Sequence, residues 1–406
     1  FNKIVMLLDN ILKTKKFVKE SGDYNKIHIN KKFSQNFFFK KPVLHGINVA
    51  LAALSKFMKN KKKNCRIKKI EINFKDYCLE EDILKFKILK NKITVYDDFA
   101  EKINIIIDYK NNNSLIKKNK DRISKLYKIN NLTNPEILIR LFNTSKIIAI
   151  DHIGHGCMIY NINIECSDNN KNHTIKKTKL INNLFKIKDK YENYTIETLC
   201  GKLKKYKINK FSKPLLNNKK LKKQKILIFG HGDISKNLIE YLGKKNFDFN
   251  FISFKIDKYN PIFSKNIKNK IYNTLKRIKP NYIFYFSSPR IFRGNSKLLN
   301  KLYKIFYVDI LIFILRIIKQ DLNNITKVFY PSTIFLDNND NKKRYLSYTL
   351  NKYKAENICK LKKFKKIAKF YRLPKLKTGS NYNFLGFYEG ENITSIKKFI
   401  FDFLKN

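Results

Sequence analysis

The period of the hydrophobic positions changes along the chain, and the changes divide it. After a mixed apolar and lysine stretch over residues 1–20, Gly46 is followed by Ile47, Ala50, Leu51, Leu54, Phe57 and Met58, a spacing that predicts a helix with one apolar face. Short alternating runs at 67–74, 83–89, 93–96 and 103–107 then predict antiparallel strands. Residues 109–130 are rich in lysine and asparagine and read as a linker. Ile137, Leu138, Leu141 and Ile147 predict a second helix, followed by strand patterns at 158–164, 184–187 and 194–199. The order of helix and then strands repeats, so residues 111–212 read as a degenerate second copy of residues 1–110, with a basic linker at 213–223. From residue 224 the pattern changes again. Compact apolar strands at 225–229, 249–254, 282–286 and 328–330 alternate with helical stretches, which predicts a doubly wound parallel sheet over 224–406. The most apolar run, 310–318, is too short for a bilayer and carries Arg316, so a buried helix is expected and no membrane span.

Composition changes this picture little. A formal net charge of +55 over 406 residues would ordinarily point to nucleic acid. Here lysine, asparagine, isoleucine, phenylalanine and tyrosine dominate while glycine (12), proline (8) and tryptophan (0) are scarce, the signature of AT-rich codons. The lysines are spread along the whole length, so no specific nucleic-acid partner is expected, although phosphate-bearing ligands would be attracted. The six cysteines contain no C-x-x-C and read as reduced thiols of a cytoplasmic protein.

Candidate chemistry begins at Ser21-Gly22-Asp23-Tyr24-Asn25-Lys26-Ile27-His28, with Leu44-His45-Gly46 after it. The carboxylate of Asp23 and the imidazole of His28 stand five apart in a segment with no helical or strand period, with turn formers at Gly22 and Asn25. A loop there would aim both at one point, as water activation requires. Gly46, at the mouth of the predicted helix, would offer free N–H groups and the positive end of the dipole to a developing enolate oxygen. This string resembles the hydratase motif of MaoC-like, hot-dog-fold (R)-specific enoyl-thioester hydratases and dehydratases. The resemblance implies a hot-dog fold, here double, with Asp23 and His28 as the catalytic pair and Gly46 as the amide that polarises the thioester carbonyl. Lys26 stands where the family pattern has proline, and Asn30 where it has aspartate. Asp151-His152-Ile153-Gly154-His155-Gly156 offers two histidines three apart with no further ligand cluster, and reads as a turn; no metal site is expected.

In the last part, the strand 225–229 runs into Gly230-His231-Gly232-Asp233-Ile234-Ser235 and a helical pattern, the context of a dinucleotide fingerprint. Gly230 permits the tight turn, Gly232 lets backbone approach a pyrophosphate, and Ser235 takes the third, small position. Further on, Tyr348 and Lys352 share a helix face, downstream of a strand ending in Pro331-Ser332-Thr333-Ile334. The ammonium is expected to lower the phenol's pKa and to hold a ribose hydroxyl, and the phenol to pass a proton while hydride moves. These elements resemble the short-chain dehydrogenase/reductase family, nearest its extended, epimerase-like branch. The resemblance maps the family's hydroxyl, phenol and ammonium onto Thr333 (or Ser332), Tyr348 and Lys352. It implies a Rossmann fold with NAD or NADP. Ser253-Phe254-Lys255 lacks the acid that holds an adenosine ribose, which leans toward NADP, and Ser287-Ser288 replace the usual small apolar pair.

The expectation is a fusion: a hydratase or dehydratase acting on an enoyl or 3-hydroxyacyl thioester of coenzyme A or an acyl carrier protein, joined to an NAD(P)-dependent oxidoreductase. Consecutive steps on one acyl carrier would place it in fatty-acid-like metabolism. Two alternatives stay open: a nucleotide-sugar epimerase or dehydratase with an accessory hot-dog domain, and a non-catalytic acyl-carrier-binding protein. Hot-dog units pair, either as a homodimer or between the two repeats of one chain.

Overall fold

The computed structural model describes residues 6–8, 11–37, 39–61, 64–112, 121–129, 131–181, 183–203, 224–243, 247–322, 326–376, 390–391 and 393–405. The linker expected at 213–223 lies outside the described residues. One compact unit is built from residues up to Leu203 and another from Gln224 onward.

In the first unit, α1 (Thr14–Ser21) ends at Gly22 in the left-handed region, with φ of 70°. Asn25 then caps a single helical turn, α2 (Lys26–Ile29), followed by α3 (Lys31–Ser34). His28 therefore sits on a helical turn and not on a loop, as its flanking residues predicted; the Asn25 side chain, accepting from the Ile27 N–H, nucleates that turn. The long helix α4 (Gly46–Lys59) carries apolar residues almost all round and is buried nearly throughout. It packs against an antiparallel sheet made of β1 (Met6–Leu7), β2 (Asn64–Phe74), β3 (Lys85–Leu89), β4 (Lys92–Tyr96), β5 (Glu101–Asn112), β6 (Cys157–Lys179) and β7 (Leu184–Lys202), in the order β1-β3-β4-β5-β2-β6-β7. One helix held against an antiparallel sheet is the hot-dog-like arrangement expected. Isoleucines at the alternate positions 70, 72, 103, 105 and 107 are buried and put the core on one face, while Ile106 between two of them is exposed.

The segment expected to be a linker holds regular structure among its described residues. β5 runs to Asn112, and α5 (Arg122–Tyr127) follows with Ile123 and Tyr127 buried. The tyrosine hydroxyl donates to Asn48 Oδ1 on α4, 2.9 Å away, so a buried polar pair rather than apolar periodicity fixes this helix. Next, α6 (Glu136–Lys146) packs beside α4 and continues as a π-turn over Ile147–His152.

β6 and β7 are bent. Their register breaks between Cys166 and Thr174, and Glu192 turns β7 with φ of 46°. Residues 184–190 thus run back alongside 194–202: the Lys202 N–H donates to Asn183 O at 3.0 Å, and Glu197 pairs with both Lys186 (2.9 Å) and Lys188 (2.8 Å). The segments lie in the spatial order 174–179, 184–190, 194–202, 157–166, the last pairing with β2.

The second unit has a parallel sheet of β8 (Gln224–Phe229), β9 (Phe247–Ile252), β10 (Tyr282–Tyr285), β11 (Lys327–Thr333) and β12 (Ala368–Leu373), ordered β12-β11-β10-β8-β9. The helices are α7 (Asp233–Leu242), α8 (Lys265–Ile278), α9 (Lys297–Lys304), α10 (Ile310–Asp321), α11 (Asn339–Arg344), α12 (Leu346–Lys360) and α13 (Lys397–Lys405). Separate apolar clusters cover the two faces: α8, α10 and α12 contribute to one, α7 and α13 to the other. The doubly wound expectation is met, and α10 is the buried helix read from 310–318. The strand order reverses between β8 and β10, where ligands of such sheets bind at the carboxyl ends. Among the described residues no helix is long and apolar enough to cross a membrane.

Candidate active site

Asp23 follows the left-handed Gly22 and is almost fully buried, with 1% exposure. Its Oδ1 accepts from the Asn25 N–H at 3.1 Å, an Asx-type turn. Its Oδ2 accepts from the Ser145 hydroxyl at the end of α6 and lies 3.6 Å from His45 Nε2. Each carboxylate oxygen is thus held by a donor, as a buried polar group requires. His28 Nδ1 lies 2.7 Å from the Val43 carbonyl. A carbonyl can only accept, so the proton sits on Nδ1 and Nε2 carries the lone pair. Burial lowers the pKa of His28, against the opposing pull of Asp23, so the ring is neutral and basic at Nε2.

Asp23, His28 and Gly46 line one cleft. Its apolar walls include Val43, Ile47, Phe74 and Ile103 from the first part of the unit and Ala149, Met158 and Ile159 from the second. Gly46 opens α4, and a Cβ there would lie 2.6 Å from Phe74 Cε1, so only glycine lets the ring close over this helix end. The facing loop, with Asp76 and Cys78 in the cleft, is anchored by Lys102, whose ammonium is 3.0 Å from Asp76, 3.4 Å from Asp97 and 3.9 Å from Asp82, all buried.

Three groups here carry no assigned role in the sequence reading. Asn25 Nδ2 donates to Cys157 O at 3.0 Å and its Oδ1 accepts from the Gly156 N–H at 2.9 Å, clamping the loop to the start of β6. Ser145 lies in a helix pattern with nothing to mark it. His45 was legible as part of the His-Gly pair, but its stacking on His28 was not: the centroids are 3.7 Å apart. Burial pushes His45 well below 6.5, and neighbouring His28 pushes it further.

Donor atoms of Asp23, His28 and His45 all lie within 4.8 Å of one another, a set that could in principle hold a metal ion. The stacking opposes this. Imidazole lone pairs lie in the ring plane, and planes inclined by only 27° at 3.7 Å run side by side instead of converging. His152 and His155 belong to the π-turn and the turn after it, and His155 Nδ1 accepts from the Lys26 N–H at 3.4 Å.

In the second unit Gly230 has φ of 93°, and a Cβ there would lie 3.1 Å from Ser287 N. Gly232 caps α7, and the space its Cβ would enter is open to 4 Å. Ser235 is buried and its hydroxyl donates to Gly230 O at 2.9 Å, fastening the turn to the helix. A helix start with room beside a glycine is the kind of place where a dinucleotide phosphate can sit. Thr333 lies close enough to Tyr348 to favour its phenolate, against the effect of burial. Ser332 is turned away, donating to Glu356 Oε1 at 2.6 Å, and Arg372 Nη2 holds the other carboxylate oxygen at 2.7 Å.

Lys352 corrects an expectation. Burial, not the ammonium, dominates Tyr348, whose phenol is pushed up to about 12. The lysine is itself lowered to about 7 by burial, against Glu356. Its Nζ donates to Pro331 O and lies 4.2 Å from the Tyr307 ring centroid and 4.7 Å from that of Tyr330, farther from Tyr348 at 5.9 Å. Tyr307, to which the sequence analysis gave no role, is thus packed against this site.

Comparison with known proteins bears on the first unit. No curated protein matches the chain. Similar solved structures include the tesB protein of Mycobacterium avium subsp. paratuberculosis (7% identity, 39% of this chain and 87% of that one, TM-score 0.28). A 3-oxoacyl (acyl-carrier-protein) reductase from Agrobacterium tumefaciens C58 with NADP bound is another (10%, 40% and 73%, TM-score 0.33). HtdX from Mycobacterium tuberculosis is a third (7%, 50% and 98%, TM-score 0.27). Residues 13–110 match the family model described as "MaoC like domain", and this part of the chain is a MaoC-like dehydratase domain.

Proposed function

We propose that the first unit adds water to, or removes it from, an α,β-unsaturated acyl thioester. The observation that carries this is the convergence of Asp23, His28 and the Gly46 end of α4 on one cleft. In hydration, His28 Nε2 takes a proton from a water held beside Asp23 as its oxygen bonds to C3 of the enoyl group. The electron pair of the C2–C3 double bond moves toward the thioester oxygen, where the Gly46 N–H and the dipole of α4 stabilise the enolate. The proton returns to C2, and dehydration is the reverse. Incubation with crotonyl-CoA in isotopically labelled water tests this: a labelled 3-hydroxyacyl product is expected, and no turnover of any enoyl thioester contradicts it.

The proposal extends to architecture. The order 174–179, 184–190, 194–202, 157–166 is the order of β3, β4, β5 and β2 in the first half, and α6 precedes these segments as α4 precedes β2. This supports reading the second half as a degenerate hot-dog repeat that pairs with the first through β2 and β6.

For the second unit the reading is an NAD(P)-dependent oxidoreductase. Gly230, Gly232 and Ser235 would seat the dinucleotide phosphates, and a nicotinamide ring bound there would exchange the hydride. Tyr348, a neutral phenol at pH 7 given its raised pKa, would give a proton to a carbonyl, with Thr333 orienting the same oxygen. Lys352 braces the Pro331 carbonyl at the end of β11. The two activities would act on one acyl carrier, coenzyme A or an acyl carrier protein. Calorimetric titration with NADPH and NADH tests the second unit; binding of neither removes it.

A further inference from the structure

We infer that Ser145 is a positioning residue for the hydration site, supplied by the second half of the unit to the carboxylate of the first. This rests on the hydratase reading above and goes beyond it. Asp23 and Ser145 are separated by 122 residues and both side chains are buried, at 1% and 4% exposure. The hydroxyl donates to Oδ2, while the Asn25 N–H takes Oδ1. A buried carboxylate has several lone pairs and lies in one orientation only if its donors fix it. Oδ1 is fixed by the local turn, which leaves rotation about that contact free. Ser145 removes that freedom, because it reaches Oδ2 from a different element, α6, whose own place is set by packing beside α4.

Other features of the second half bind the same edge. Asn25 ties the loop to Gly156 and Cys157, and Ala149, Cys157, Met158 and Ile159 line the cleft. The second half therefore completes the site, and the hydroxyl is its polar contribution to the reacting pair. Ser145 also borders the cleft, and its role in this inference is exerted through Asp23, the group its hydroxyl bonds.

The test is enoyl-CoA hydration by the full chain as wild type, Ser145→Ala and Ser145→Thr. Loss of one charge-assisted donor predicts kcat lower by about ten- to a hundredfold in Ser145→Ala, with KM within about threefold. Threonine keeps a hydroxyl and should restore most of the rate. A purely structural role would lower stability and would show no difference in kcat between the variants once folded protein is equalised by circular dichroism. Wild-type kcat in folded Ser145→Ala would overturn the inference while leaving the hydratase reading intact. An inactive wild type would remove both.

Discussion

The imidazole rings of His28 and His45 lie stacked, with centroids 3.7 Å apart and planes inclined by 27°. Two cations could not occupy that geometry, and burial disfavours even one. Both rings are neutral at pH 7, which leaves His28 free to accept a proton.

Their titration fixes a sign. The folded pKa of each lies below the ordinary 6.5, so below that pH the unfolded chain binds more protons than the folded one. Stability contributed by these groups is present above about pH 6.5 and lost as pH falls beneath it. His45→Asn should flatten the fall in melting temperature of the first unit between pH 6.5 and 5, measured against wild type. Identical slopes would contradict the account of His45.

Gly46→Ala is predicted to destabilise the first unit by about 1–3 kcal/mol through overpacking. Its new Cβ would stand 2.6 Å from Phe74 Cε1 and 2.8 Å from Cδ1. Chemical denaturation reads the loss, and Gly46→Ala combined with Phe74→Leu should recover part of it. A single variant as stable as wild type would show that the ring does not close over the helix end.

Much of this was legible in the sequence, and what was not has physical causes. The apolar face of α4, the alternating isoleucines and the glycine turn at Gly230 come from strong local periods, and the fold follows them. The helical turn holding His28 escaped because four residues carry no period; only the capping role of Asn25 announces it. α5 hid in a lysine-rich stretch because its anchor is the hydrogen bond from Tyr127 to Asn48, a long-range polar contact. Ser145 and Tyr307 could not be found for the same reason: their roles depend on chain brought from far away. The choice between Ser332 and Thr333 likewise needed Glu356, which takes the serine.

Lys352 gives a pH prediction of the same origin in a higher pH range. Its folded pKa of about 7 lies below the ordinary 10.5, so between these values the unfolded chain binds more protons and stability rises with pH. The second unit should gain stability between pH 7 and 9, by at most about 2–3 kcal/mol. Lys352→Met should abolish the gain and be more stable than wild type at pH 7. Unfolding transitions at the two pH values check this, and an unaltered slope in the variant would contradict a buried, neutralised lysine.

Tyr348→Phe removes the phenolic proton without touching Gly230, Gly232 or Ser235. Carbonyl reduction should fall by about 10²- to 10⁴-fold while the NADPH dissociation constant changes little. Retained turnover would assign the proton to another group.

The central claim is that Asp23 works with His28 on water at a thioester double bond. Hydration of crotonyl-CoA by wild type and by Asp23→Asn tests it most directly. Asparagine keeps the side chain's size and removes its charge, so the variant should lose about 10²- to 10⁴-fold in kcat while remaining folded. Wild-type turnover in a folded Asp23→Asn protein would contradict the claim.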